Sequence, residues 1–407
     1  MQVLKRNGNK VPFDVEKIKA AVNKAASRTS PNNQNLANIV AERVSYRITG
    51  DTTVEEIHSL VENALMDSGE HDTAREYITY RFSHKPSIFK KRTNLKPYEY
   101  PNLLEYVDAI RHSYWVHTEF NFTSDIQDFH TRMTKEERQV VTRTMLAISQ
   151  IEVAVKTFWS KIGDTMPKPE IQAVGVTFGE SEVRHADAYS ELLEVLGLNK
   201  EFEELGKVPA MANRLEVLER AIKPPVDNEE FVRNILLFSV LIENASLFSQ
   251  FFIMMSFNKD KNLLKGISNA VQATSKEEDI HAQFGVELVN IVRDEHPELF
   301  TEHTESAINA LVSDFFRAEF DVLCWIFEGV EEDYLKEMSS TAFDVITYRV
   351  CDALSSAGLT PTFERPQTSK FSWFLDETML SSNVDFFYKK ATAYTKGNKS
   401  FDADDLF

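Results

Sequence analysis

Two short phrases in this chain pair a glutamate with a histidine three residues later: Glu182-Val183-Arg184-His185 and Glu278-Asp279-Ile280-His281. Residues three apart share one face of an α-helix, so each phrase can aim a carboxylate and an imidazole at the same point. A further glutamate stands in the apolar helical stretch before each phrase: Glu152 in AISQIEVAVKTFW and Glu243 in FSVLIENASLFSQFF. A glutamate buried alone inside VLIENASL would be destabilising by several kcal/mol, so a cation is expected opposite it. A single E-x-x-H is common in helical proteins. Specificity comes from the order Glu, ExxH, Glu, ExxH, with similar separations in the two halves.

One Glu from each of two helices and a Glu-x-x-His from each of two others is the ligand pattern of the ferritin-like di-metal carboxylate bundle, which this chain resembles. The chemistry is coherent: carboxylates bridge two cations and balance their charge, and imidazole suits iron or manganese. Four helices must carry the six residues. Thr134-Lys135-Glu136-Glu137 reads as a capping box that opens a helix running through Glu152 to about Lys161. Pro169 lies near the start of the next, which carries Glu182 and His185 and stops around Gly197. Asp227 with Glu230 opens the third, carrying Glu243, and the fourth carries Glu278 and His281 and ends before Pro297. Helical patterns from about 304 to 358 complete an all-α domain.

Upstream, VLKRNGNKVPF forms two strand-like runs around Asn7-Gly8, the dipeptide of a type I′ hairpin turn. Phe13-Asp14 leads into the amphipathic helix VEKIKAAVNKAA, and helical patterns follow near 34–48 and from Thr53 to about Met66 before AREYITYRF closes the unit. Residues 84–102 are basic with three prolines, a semi-rigid linker composition. The expected organisation is a domain at 1–90, a linker at 91–102, the bundle at 103–385 and a flexible tail at 386–407. The fold class is mainly α, with a small N-terminal α+β unit. The tail is rich in Gly, Lys, Ser and Asp and ends Leu406-Phe407, too polar to order alone.

A net charge of −18 lacks the basic footprint of a nucleic-acid surface. Only Cys324 and Cys351 are present, neither in a Cys-x-x-Cys arrangement, so a disulfide framework is not implied and a reducing cytoplasm fits. The apolar stretch near 235–257 is interrupted by Glu243 and Asn244 and reads as a buried helix, not a membrane span.

The N-terminal motifs V-x-K-R-N-G, F-D-x-x-K-I and A-R-x-Y-I-x-Y-R resemble an ATP-cone, the nucleotide-sensing domain of ribonucleotide reductases. From about residue 103 the chain resembles the radical-generating small subunit of class I ribonucleotide reductase. The first resemblance implies that Val3, Lys5, Arg6, Asn7, Gly8, Lys17, Ile18 and Thr53 contact ATP or dATP. The second implies metal ligands Glu152, Glu182, His185, Glu243, Glu278 and His281, a radical tyrosine at Tyr189, an electron path from Trp115 to Tyr394 in the tail, and Glu277 in the relay. It also implies a homodimer whose tail docks on a separate large subunit. dATP at the cone would drive dimers into tetramers that cannot dock productively.

Three positions depart from the usual pattern. Glu152 and Glu277 stand where many members have aspartate. Lys156, four residues after Glu152 and on the same face, is similar to the family's dimanganese subgroup, which favours manganese over a di-iron or mixed manganese–iron centre and moves the oxidising equivalent from Tyr189 to the metals. Three other functions fit parts of this pattern. A di-metal oxidase or monooxygenase would share the six ligands without needing Trp115, a tail tyrosine or a cone. A metal store has no use for a nucleotide sensor. A non-enzymatic nucleotide-sensing scaffold would not require metal.

Overall fold

The computed structural model describes residues 2–4, 10–30, 33, 35–83, 87–96 and 98–378; the side chains at 82, 83, 153–156 and 221 lie outside the description. The chain divides into two compact units, one of Met1–Ser87 with Lys96–Pro101, the other of Ile88–Leu95 with the chain from Asn102 onward.

In the first unit, strand β1 (Gln2–Leu4) pairs antiparallel with β2 (Lys10–Pro12), Val3 opposite Val11. Residues 5–9, the expected turn, fall outside the described residues. Helix α1 (Val15–Thr29) opens where the Asp14 carboxylate accepts from the Glu16 N–H at 3.0 Å, and α2 (Leu36–Arg47) packs along it. Strand β3 (Thr52–Thr53) then joins β1 in parallel, a pairing that two residues are too short to announce by alternation. Thr53 also caps α3 (Val54–Asp67) in a reciprocal box with Glu56, and α4 (His71–Ser83) completes the unit. Ile18, Val22, Val40, Val44, Val61 and Leu65 form its core.

The second unit is helical. After α5 (Glu105–Ser113) and α6 (Thr123–Gln127) comes α7 (Lys135–Thr165), opened by the expected box between Thr134 and Glu137. Helix α8 (Pro169–Leu196) has proline in its first turn and ends at Gly197, whose φ of +74° only glycine adopts without strain. Short α9 (Asn199–Glu203) and α10 (Pro209–Ile222) lead to α11 (Asn228–Ile235), capped by Asp227. Then follow a π-helix at Leu236–Ser246, α12 (Leu247–Lys261), α13 (Lys265–Glu295), α14 (Glu302–Ile326), α15 (Asp333–Ser356) and α16 (Ser372–Thr378).

Two features differ from the sequence reading. The third bundle helix is not one regular α-helix: Glu243 sits inside the π-helix, whose wider turns displace side chains relative to a 3.6-residue repeat. All of Leu236–Glu243 is buried, so apolar periodicity gives no sign of the changed register. Helix α16 forms beyond the point where periodicity fades, because Phe374 packs on Phe248 and Phe252. The run Asn228–Lys261 is long and apolar enough to cross a membrane, yet 94% of its most apolar window is buried inside the protein, so it is core.

Close helix approach sets the geometry of the bundle. Helix α7 lies along α8, and the π-helix and α12 lie along α13. On α8, a Cβ at Gly175 would meet the Trp159 carbonyl oxygen of α7; on α13, a Cβ at Gly285 would overlap the Ser239 hydroxyl and Cβ of the π-helix. The start of α13 is held by Asp125, which accepts from Gly266 N (3.2 Å) and Ile267 N (2.8 Å), and by Asp128, which accepts from Leu264 N (3.1 Å). Leu264 there is left-handed at φ +56°, a strain these carboxylates offset. Replacing Gly285 by alanine is expected to destabilise the protein by about 1–3 kcal/mol through overpacking. Thermal denaturation checks this, and an unchanged melting temperature would show that the π-helix can move away freely.

Candidate metal centre

Helices α7, α8 and α13 and the π-helix place the six sequence-selected residues around one buried point. Glu152, Glu182 and His185 offer ligand atoms within 4.8 Å of one another, and Glu182, Glu243, Glu278 and His281 form a second such group. Glu182 belongs to both. His281 Nδ1 lies 3.0 Å from Glu182 Oε1, 3.1 Å from Glu278 Oε2 and 3.3 Å from Glu243 Oε2, while His185 Nδ1 lies 3.0 Å from Glu278 Oε1 and 3.4 Å from Glu182 Oε2.

These short distances are not all hydrogen bonds. Both carboxylate oxygens of Glu152 and of Glu182, Oε1 of Glu278 and Nδ1 of His185 are buried and make none among the described residues. Buried acceptors converging without donors are strongly unfavourable, unless a cation sits between them. Four carboxylates and two imidazoles, one imidazole in each group, form a donor set that fits a pair of iron or manganese ions.

Without a cation, protons must carry the compensation. Burial pushes Glu152 well above the usual carboxylate range, and burial together with the charges of Glu278 and Glu182 does the same to Glu243. Burial disfavours protonated His185 and His281, but the surrounding carboxylates outweigh it and hold both imidazoles well above their ordinary range. Glu278 goes the other way: burial opposes its ionisation, and contacts with Glu243, His185 and His281 prevail to hold it low.

A second layer orients the first. Glu277, on α13, lies 2.8 Å from His185 Nε2 through Oε2 and pairs with Arg184 at 3.2 Å. Arg184 Nη1 donates to the Trp115 carbonyl at 3.0 Å, and its guanidinium lies 4.4 Å from the Tyr114 ring centroid. Trp115 itself is 4% exposed and stacks on His185 with centroids 5.6 Å apart and planes at 16°. Trp159 Nε1 donates to Glu243 Oε1 at 2.8 Å, and Ser181 Oγ is 3.0 Å from His281 Nε2. Arg349, on α15, donates from Nε to the Asn244 carbonyl at 2.7 Å and pairs with Asp279 at 3.4 Å. Tyr189 is fully buried, donates to Thr274 Oγ1 at 3.3 Å, and has its phenol pushed far up by burial and the Glu152 charge.

Arg184, Trp159, Ser181 and Arg349 are absent from the sequence-stated set. Two carried a signal: Arg184 stands inside the first Glu-x-x-His phrase and needs a carboxylate if buried, and Trp159 follows Glu152 by seven residues, two turns along the same face. Ser181 and Arg349 carried none, since only packing brings them to the site. The Lys156 side chain, and all of Tyr394, lie outside the described residues.

In the N-terminal unit, Val3, Lys17 and Ile18 line one cleft together with Phe13, Ala21 and His58. Thr53 precedes Val54 of that cleft and is engaged in capping α3. Lys5, Arg6, Asn7 and Gly8 lie outside the described residues.

A helical bundle with this cluster of carboxylates and imidazoles at its centre is a ferritin-like di-metal carboxylate protein. Residues 92–370 match the family described as ribonucleotide reductase, small chain, and residues 1–86 match the ATP cone domain. The chain therefore belongs to the ribonucleotide reductase small-chain family, oxidoreductases that act with a large subunit, and carries an ATP cone at its N-terminal end. It is 25% identical over 335 residues to a probable ribonucleoside-diphosphate reductase small subunit of Invertebrate iridescent virus 3, covering 77% of this chain and 87% of that one. It is 23% identical over 302 residues to the ribonucleoside-diphosphate reductase subunit beta of Chlamydia pneumoniae, covering 70% and 86%. The fold is similar to that of dimanganese(II)-NrdF from Streptococcus sanguinis, with a TM-score of 0.59 at 15% identity over 74% of this chain and 98% of that one.

Because a metal must displace the protons held on Glu152, Glu243, His185 and His281, loading is expected to release protons, with an apparent affinity that rises with pH. Calorimetric manganese titrations in buffers of different ionisation enthalpy measure this directly. A heat independent of buffer would contradict it.

Proposed function

We propose that this chain is the radical-generating small subunit of a ribonucleoside-diphosphate reductase, with Glu152, Glu182, His185, Glu243, Glu278 and His281 holding two metal ions. The convergence of buried ligand atoms, several of them without a hydrogen-bond donor among the described residues, carries this reading. When bound, the ions would supply one-electron oxidising power drawn from an oxygen species. Manganese is favoured, because Lys156 stands four residues after Glu152; di-iron and mixed manganese–iron centres are the alternatives.

The protein's own residues have distinct tasks in this scheme. Glu277 accepts from His185 Nε2–H, which fixes the tautomer and leaves Nδ1 free to face Glu182 and Glu278. Arg184 neutralises Glu277 and holds the Trp115 backbone, so the indole is kept stacked on the imidazole. Trp115 and Tyr394 are the residues we propose to relay an electron between this chain and the large subunit. Tyr189, buried and held protonated by its surroundings, is either the radical tyrosine or, if Lys156 marks a dimanganese site, a neighbour of it.

The tail at 386–407 would dock on the large subunit, and the protein would work as a cytoplasmic homodimer. In the cone, Val3, Lys17 and Ile18 line the cleft that would receive ATP or dATP, with Lys5, Arg6, Asn7, Gly8 and Thr53 completing the contacts. The cone would act as a switch, dATP turning dimers into tetramers that cannot dock.

Three experiments test these assignments. Protein loaded with manganese is expected to support ribonucleotide reduction by the large subunit better than protein loaded with iron. Deleting residues 386–407 should reduce that activity to background without changing metal content; a truncated protein that still supports ribonucleotide reduction would show that the tail is not what docks on the large subunit. Light scattering should show the mass doubling when dATP is added and not when ATP is added, and a constant mass would remove the oligomeric switch.

A further inference from the structure

Helices α10 and α14 contribute none of the six residues at the metal centre, yet a fully buried ion pair joins them and reaches two of the ligand-bearing elements. Arg214 of α10 donates from Nε to Glu319 Oε1 of α14 at 2.8 Å, and both side chains are within 2% of complete burial. The other arms of this guanidinium reach three further elements. Nη1 donates to the Ala147 carbonyl of α7 at 2.8 Å, and Nη2 donates to Ser246 Oγ of the π-helix at 2.7 Å and to Gln250 Oε1 of α12 at 3.1 Å. Ser246 in turn donates to Glu319 Oε1 at 2.7 Å.

Ala147 lies five residues before Glu152 and Ser246 three residues after Glu243. The pair therefore grips both of the elements that supply single glutamates. The Glu-x-x-His helices have their own cross-link through Glu277, His185 and Arg184. A π-helix is rare and mostly a single-turn bulge at functional sites, so this eleven-residue one is the ligand-bearing element with most need of outside support. A buried ion pair adds little net stability over apolar residues of similar volume, so its presence argues for a role in fixing geometry.

We propose that Arg214 and Glu319 are positioning residues that set the spacing of Glu152 and Glu243, and thereby the affinity of the centre for its second metal ion. This rests on the ligand assignment above. Arg214→Met with Glu319→Leu removes both charges, so neither is left buried alone, although buried Ser246 and Gln250 lose these partners. Manganese per chain, manganese affinity and the metal-induced rise in melting temperature are to be compared with wild type.

The expected result is a metal-free melting temperature lowered only modestly, by the lost Ser246 and Gln250 bonds, with affinity lower by about tenfold to a hundredfold, the range seen when groups that orient metal ligands are removed. The metal-induced rise in melting temperature should shrink accordingly. A merely structural pair would shift metal-free and metal-loaded protein equally, and an undiminished metal-induced rise overturns the proposal. If the double variant does not fold, Ser246→Ala decides, since it cuts only the link to the π-helix: weakened manganese binding supports the brace, and unchanged binding overturns it. Wild type that binds no manganese or iron would instead defeat the ligand assignment itself.

Discussion

Four carboxylates are held together at the centre of a helical bundle where water does not reach them, and most of this unit can be understood as a response to that. Glu152, Glu182, Glu243 and Glu278 are all 2% exposed or less. Their mutual repulsion in a low-dielectric interior is large, and only cations or protons between them make it bearable. Long helices follow from this constraint, because backbone amides in the middle of a helix bond to one another and do not compete for the carboxylates. Glycines at the helix contacts follow too: Gly175 and Gly285 bring α7 to α8 and the π-helix to α13 closely enough for four side chains to share one space.

The groups around the cluster are matched to its atoms. Trp159 donates to the one oxygen of Glu243 that faces away from His281, and Glu277 takes the outer nitrogen of His185. Among the described residues, both oxygens of Glu152 and of Glu182, Oε1 of Glu278 and Nδ1 of His185 have no hydrogen-bond partner, while His281 Nδ1 lies within hydrogen-bond distance of Glu243 Oε2 and Glu278 Oε2. Oriented partners around unpaired ligand atoms fit a cation site. The Glu277–Arg184–Trp115 connection extends the ordering from the imidazole to an aromatic ring, and so supplies a packed route away from the centre.

The N-terminal unit has its own core and its own cleft, so the ATP cone and the carboxylate–imidazole cluster reside in separate compact units of one chain. In the first unit Thr53 serves the fold twice: it pairs in β3 and caps α3, which fixes the wall of the cleft that begins at Val54. Part of the connecting segment, Ile88–Leu95, packs with the bundle, where Ile88 N donates to Glu295 and Phe89 lies against Phe231 and His296.

The helical class, the capping box at Thr134, the proline and glycine limits of α8 and the grouping of Glu152, Glu182, His185, Glu243, Glu278 and His281 were all legible in the chain. Each depends on residue type and short-range spacing, which are local properties: a Glu and a His three apart share a helix face whatever the rest of the molecule does. The ATP-cone motifs were legible for the same reason. Tertiary structure alone decided the π-helical register around Glu243, the two-residue strand at Thr52–Thr53, and the arrival of Ser181, Arg349 and Arg214 beside groups far away in sequence. A uniformly apolar stretch has no periodicity to reveal a widened turn, and an arginine's partner is set by which helices pack together, a choice made by the summed burial of the whole core.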